Sequence, residues 1–400
     1  MKDPDRHIMI LAGEPSGDVH GADLVSAMHR LDPSLKFSGI GGPCMERAGV
    51  SLFFSIDRLS AMGLTEVIRQ FNPIKQAYDL FRQHLKTDRP GLLILIDYPG
   101  FNLRAARYAK KHSSARVFYY ITPKVWAWNR SRLLQMKHTI DHAGLIFPFE
   151  EKLYKTAGIP ATYVGNPLMD RYPEPVTLPS GTGGDTSSAP GTIGLLPGSR
   201  KNEVKNLLGL MLTAAQRIHR HHPQVRYLVS AAQSIPLDMI EKPVRALKNA
   251  GLFQVVPGSP RLIFEQADML IAASGTITLE AAICQVPTVI IYKMSPITYQ
   301  IARLLVTVRY AGLANLIVGR EVMPELLQDA ATPDKICTAA LDMLANLAEH
   351  RRRLIPVRRL LGAPGAAKRG AVIALDLMRR AESDHCVHSG FDKPCQTLLK

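Results

Sequence analysis

Five short turns hold most of the chemistry available to this sequence, and each follows an apolar run. The first, Ala12-Gly13-Glu14-Pro15-Ser16-Gly17-Asp18, opens a helical stretch, so its backbone N–H groups and the positive helix end can hold an anion. It is not the Gly-x-Gly-x-x-Gly dinucleotide pattern, and Ser16 or Asp18 can equally be a plain helix cap. The second, Asp97-Tyr98-Pro99-Gly100-Phe101-Asn102, sets a carboxylate at a strand end, where it can accept a proton from a substrate hydroxyl or cap the next helix. The third, Thr122-Pro123-Lys124-Val125-Trp126-Ala127-Trp128, holds both tryptophans of the chain, either as a substrate wall or as core.

The other two turns lie in the second half. Leu196-Pro197-Gly198-Ser199-Arg200 is followed one turn later by Glu203; glycine permits close backbone approach, and Arg200 can grip two phosphate oxygens at once. Ala272-Ala273-Ser274-Gly275-Thr276 leads into a helix bearing Glu280, where small residues and N–H groups suit phosphate oxygens and a carboxylate can bond two ribose hydroxyls. Together they favour nucleoside-diphosphate binding over simple capping.

The elements that must position these turns alternate in type. Strands are expected at His7–Ala12, Lys36–Ile40, Leu92–Ile96, Arg116–Ile121 and Ala143–Phe147, with amphipathic helical stretches between, which is the pattern of a parallel sheet covered by helices. From Pro173 to Thr192, fifteen of twenty residues are Gly, Pro, Ser or Thr, a composition that cannot bury a core. The alternation then restarts at Ile193 and continues to about Ile291, followed by a helical last third. The expected organisation is an α/β chain of two Rossmann-like doubly wound domains facing a cleft: 1–172, a linker at 173–192, and 193–380 with C-terminal helices, then a loose tail at 381–400. At roughly 150 residues per domain, 400 residues fit that count.

Charge narrows the function classes. The chain carries 49 Lys and Arg against 34 Asp and Glu, a net +15. A nucleic-acid binder would interleave basic and aromatic residues. The densest basic stretch, Arg351–Arg380, contains nine basic residues, one acid and no aromatic, so no nucleic-acid partner is expected. Five cysteines without a Cys-x-x-Cys spacing indicate neither a disulfide framework nor a zinc site, and no metal or cofactor is expected. Acidic residues precede the first apolar run, unlike a secretory signal, and Glu280 and Pro287 interrupt the longest apolar stretch, so a cytoplasmic protein with at most peripheral membrane contact is expected.

Ten motifs, in order, resemble lipid-A-disaccharide synthases: AGEPSGDVHGA (12–22), GIGGPCM (39–45), MGLTEV (62–67), DYPGFN (97–102), TPKVWAW (122–128), FPFE (147–150), VGNPL (164–168), LLPGSRKNEV (195–204), ASGTITLE (273–280) and GLANLIVGREVMPELLQ (312–328). The resemblance implies a metal-independent, inverting glycosyltransferase of the GT-B class. It would join UDP-2,3-diacylglucosamine to the 6-hydroxyl of 2,3-diacylglucosamine 1-phosphate, giving a β-1,6 disaccharide and UDP. On that footing Asp97 is the general base, with His20 ranked second, and Ser16, Gly17 and Trp126 belong to the acceptor side. Gly198, Ser199, Arg200, Glu203, Ser274, Gly275, Thr276 and Glu280 form the UDP-sugar site, and Asn315, Glu321 and Gln328 match nucleotide-sugar positions of the family. Gly100 stands where the family often has a second acid, and Asn166 where histidine is usual.

Acylated substrates imply an anionic membrane surface, peripherally, at the inner membrane. The stretch Leu59–Leu85, apolar residues interleaved with Arg69, Lys75 and Arg82, suits such contact; its alternative is a helix packed on its own sheet. A homodimer is compatible with the reading. A UDP-N-acetylglucosamine 2-epimerase shares the architecture and a comparable UDP site but needs no acceptor.

Overall fold

The computed structural model describes residues 6–60, 71–127, 131–175, 191–294 and 308–388. Its first sheet is built of β1 (His7–Ala12), β2 (Lys36–Gly41), β3 (Val50–Ser55), β4 (Leu92–Ile96), β5 (Arg116–Tyr120), β6 (His142–Leu145) and β7 (Ala161–Tyr163). The strands lie in the order β3-β2-β1-β4-β5-β6-β7 and every pairing is parallel. β1 and β4 are buried along their whole length, as expected of central strands covered on both faces.

The second sheet consists of β8 (Thr192–Leu196), β9 (Arg226–Ala231), β10 (Phe253–Pro257), β11 (Met269–Ala273), β12 (Thr288–Tyr292) and β13 (Glu325–Leu327), ordered β10-β9-β8-β11-β12-β13 and again all parallel. Both orders reverse direction beside the first strand of the sheet, at β1/β4 and at β8/β11. In open parallel sheets that reversal leaves a crevice at the carboxyl ends of the two strands, where ligands bind. The turns after β1, β4, β8 and β11 are four of the five singled out above.

Two compact units result, residues 1–167 with 365–400, and 168–364. The expected boundaries differ at both ends. Tyr172 belongs with the second unit because its hydroxyl donates to Glu280 at 2.9 Å, and Arg358 donates to the Tyr172 and Pro173 carbonyls. The terminal helix Ala366–His388, expected with the second domain, packs on the first. Arg369 Nε donates to the Val164 carbonyl at 2.7 Å, Ala371 and Ala374 are fully buried, and a Cβ on Gly370 would lie 2.9 Å from the Tyr120 ring. The basic stretch Arg351–Arg380 is therefore divided between the two units, and Arg358 and Arg369 within it hold backbone carbonyls.

Of the stretch Leu59–Leu85, the helix Phe71–Asp88 packs one face on its own sheet. Ala77, Phe81 and Leu85, at helical spacing, are buried in the core beneath β2 and β3, and Arg82 lies over the Tyr108 ring at 4.9 Å. Residues 61–70 and 176–190, Trp128 and the end of the tail lie outside the described residues. No described helix is long and apolar enough to cross a membrane.

Candidate functional site

At the switch point of the first unit, the chain turns sharply after β4. Asp97 and Tyr98 both adopt left-handed backbone (φ 42° and 45°), a conformation that side chains other than glycine reach only at a cost of about 1 kcal/mol or more each. Surrounding hydrogen bonds hold it there. The Asp97 amide donates to the Ile121 carbonyl at 3.0 Å, and its own carbonyl accepts from Tyr119 Oη at 2.7 Å and Asn102 Nδ2 at 2.8 Å. Asn102 also donates to the Ile96 carbonyl at 3.0 Å, closing the turn from within the helix Pro99–His112. Gly13, at the end of β1, has no room for a side chain because the Tyr98 ring would lie 2.1 Å from its Cβ.

The half-buried Asp97 carboxyl is pushed above the usual carboxylate range, first by burial and then by the charge of Glu14, with Lys124 opposing. A more basic carboxylate is a better proton acceptor, provided it remains ionised at the working pH.

Ser16 is exposed at the start of the helix Pro15–Leu31, Gly17 is buried, and His20 is half-buried one turn on. Asp18 caps a different helix from its own. Its carboxylate accepts the amides of Gly42, Cys44 and Met45 at 2.8–3.0 Å, fixing the start of the helix Pro43–Arg47. Gly100 is exposed with open space around it, so a longer residue would fit there.

Of the two readings for the tryptophan turn, Trp126 fits core. It is 8 % exposed, and its indole N–H donates to Glu150 Oε1 at 2.9 Å. Glu150 follows β6, is 1 % exposed, and accepts the Phe147 and Ile146 amides at 3.0 and 3.3 Å on its other oxygen. Burial pushes its carboxyl up to about 7. Asn166 is buried and donates to the Ile146 carbonyl at 3.3 Å, bracing the same turn.

At the switch point of the second unit, Gly198 has φ 114°, and a Cβ there would meet Glu203 Oε2 at 2.4 Å. That carboxylate accepts the Ser199 and Arg200 amides at 3.1 and 3.2 Å, so Glu203 organises the loop and occupies two donors expected to face a phosphate. The Arg200 side chain is 79 % exposed. Across the switch point, Gly275 and Thr276 are exposed at the start of the helix Thr276–Ile283, and Ser274 donates its amide to the Ile291 carbonyl at 3.0 Å. Glu280 lies one turn in, its acidity lowered chiefly by burial; Tyr172 holds Oε2, which leaves Oε1 for a second donor.

This pairing of two parallel doubly wound units is a known one. The chain resembles MurG of Acinetobacter baumannii (TM-score 0.55, 15 % identity, 94 % of this chain and 99 % of that one) and a UDP-N-acetylglucosamine 2-epimerase of Listeria monocytogenes (TM-score 0.59, 11 % identity, 98 % and 100 %). At those identities the likeness establishes the fold, and the fold is GT-B. Sequence decides the family. The model of lipid-A-disaccharide synthetase matches residues 8–364, and the lipid-A-disaccharide synthase of Geobacter sulfurreducens is 38 % identical over 383 residues, 93 % of this chain and 97 % of that protein. The chain belongs to the lipid-A-disaccharide synthetase family. It is accordingly a glycosyltransferase of lipid A biosynthesis.

Within this synthetase, the three polar positions after Gly312 separate. Asn315 is fully buried, and both ends of its amide are occupied: Nδ2 by the Met323 carbonyl and Glu325, Oδ1 by the Val322 and Met323 amides, all at 2.7–2.9 Å. It shapes the loop and has no donor left for a nucleotide. Glu321 is exposed. Gln328, at φ 53°, accepts the Met294 amide at 2.9 Å. Residue-by-residue reading missed Tyr119, Asn102, Glu150 and Glu325, whose carboxylate accepts the Ala311 and Gly312 amides. Asn102 and Glu150 close the motifs DYPGFN and FPFE, so the signal was present; Glu325 had none beyond its place within the last motif. No metal-binding cluster occurs among the described residues.

Proposed function

We propose that the enzyme joins UDP-2,3-diacylglucosamine to 2,3-diacylglucosamine 1-phosphate with inversion, and that Asp97 is its general base. The observation that carries this reading is the turn after β4, where Tyr119, Asn102 and Ile121 brace a strained backbone around one carboxyl of raised basicity. Such bracing presents a proton acceptor at a fixed place.

The acceptor O6–H proton passes to Asp97 as O6 attacks the donor anomeric carbon. The bond from that carbon to the diphosphate breaks, and UDP leaves with the electron pair. Charge growing on the diphosphate is met by Arg200 and by the helix start at Ser274, Gly275 and Thr276, while Glu280 Oε1 is offered to the ribose. The acyl chains of both substrates bring the protein against an anionic membrane surface, which its net positive charge favours.

Incubating the protein with UDP-diacylglucosamine, with and without the phosphorylated acceptor, tests the reading. UDP should appear only when both are present, along with one β-1,6 disaccharide per UDP. Turnover of the donor alone would favour an epimerase and overturn it.

A further inference from the structure

We propose that Lys124 recognises the phosphate of the acceptor, so that the enzyme selects a sugar carrying an anion at its reducing end. The inference rests on the acceptor assignment made above and adds a residue to it. Lys124 stands on the turn after β5, and that turn is tied down on both sides. At its start, the Ile121 carbonyl accepts the Asp97 amide at 3.0 Å, and Ile121 itself is held at φ 61°. At its end, Trp126 is anchored to the buried Glu150, and the Ala127 amide returns to the Lys124 carbonyl at 3.0 Å. Val125 is 1 % exposed, so the residue just after the lysine is fixed in the core.

Between these anchors the Lys124 side chain is exposed, and no ion pair engages it among the described residues. Its charge favours the ionised form of both the Asp97 and the Glu150 carboxyls, while Glu14 opposes ionisation of Asp97. A cation on a braced turn that adjoins the turn of the base is available for a ligand anion. Lysine presents a compact point charge with three donors, suited to a phosphate monoester. The chemistry of the acceptor supplies the match. In a hexose 1-phosphate, the 6-hydroxyl and the phosphate flank the same ring oxygen, so a base for one and a cation for the other must stand about one sugar apart. Glu14 and Asp97 are acids and would repel the phosphate, which leaves the Lys124 side of the turn.

The donor diphosphate offers the same anion chemistry, and the test separates the two. The kcat/KM is measured for wild type, Lys124→Gln and Lys124→Arg, with 2,3-diacylglucosamine 1-phosphate and with the same sugar lacking its phosphate, together with the inhibition constant for UDP. Loss of one charge-assisted contact should lower kcat/KM of Lys124→Gln on the phosphorylated acceptor about tenfold or more. Its rate on the unphosphorylated sugar and its UDP affinity should stay within about twofold, and Lys124→Arg should recover most of the loss, since arginine keeps the charge. An equal loss on both acceptors, with the acid limb of the pH profile moved upward, would make Lys124 a modulator of Asp97 and overturn the proposal. Weaker UDP inhibition would assign it to the donor, and no change would remove it altogether. Wild-type protein that forms no disaccharide would overturn the acceptor assignment as well, a result distinct from an active wild type whose variant still prefers the phosphate.

Discussion

The two switch points have the same topology and opposite construction. After β4 and β6 the first unit buries acids: Asp97 is half-buried on a left-handed turn, and Glu150 is 1 % exposed. After β8 and β11 the second unit exposes small residues and a cation, Ser199, Arg200, Gly275 and Thr276. Glu203 and Glu325 accept backbone amides, at 3.1 and 3.2 Å and at 2.8 and 2.9 Å, as Glu150 does in the first unit, while the half-buried Glu280 is held by Tyr172. Burial raises the basicity of a carboxylate, whereas exposed N–H groups and arginine suit phosphate. The proposed function uses this contrast, with proton chemistry in one unit and diphosphate binding in the other.

Replacing Asp97 by Asn should break the comparison most visibly. The side chain keeps its size and loses its basicity, so kcat should fall by about two to four orders of magnitude while UDP binds as before. Near-normal turnover would move the base elsewhere, His20 being next in rank. Because the Asp97 carboxyl is raised, it ionises only as pH climbs past the ordinary carboxylate range, so the acid limb of the kcat profile should lie higher than for an exposed aspartate. Glu14→Gln removes a like charge and should move that limb down.

How much of this was legible beforehand depended on how local the signal was. Long central strands followed by Gly or Pro turns declare themselves, so β1, β4, β8 and β11 and the turns after them were all expected. β3 is half-exposed, and β7 and β13 have three residues each, too short for a period to show. Asn315 entered the nucleotide-sugar region through the resemblance alone, and a resemblance does not show burial; its four hydrogen bonds go to groups seven to ten residues on. The terminal helix carries the small residues Gly370, Ala371 and Ala374, which permit close packing without saying against what.

Glu150 sharpens the same contrast through stability. Its folded carboxyl is raised from the ordinary 4.5 to about 7, so the folded protein holds that proton more tightly than the unfolded chain. Its contribution is fully present below about 4.5 and is lost as pH rises through 7. The loss amounts to at most about 3 kcal/mol. Thermal melts of wild type should therefore fall between pH 5 and 8 relative to those of Glu150→Gln, which has no such proton to lose. Parallel curves would show that the three hydrogen bonds to the carboxylate keep it ionised throughout.

The smallest effect tests the second unit's use of its acids. Glu203 Oε2 accepts two amides of the Gly198-Ser199-Arg200 loop, while the Arg200 side chain is 79 % exposed. Arg200→Ala should weaken UDP binding about tenfold to a hundredfold and leave the melting temperature nearly unchanged, since an exposed side chain contributes little to folding. Glu203→Ala should do the reverse. It removes the cap of the helix Lys201–His221, at a cost of about 1 kcal/mol, yet frees two amides for the diphosphate, so UDP affinity should fall only slightly. Equilibrium UDP titration and melting of both variants decide the matter. If Glu203→Ala loses UDP as severely as Arg200→Ala does, the carboxylate is needed to hold the loop in its binding shape, and an acid in the second unit controls the ligand as directly as Asp97 does in the first.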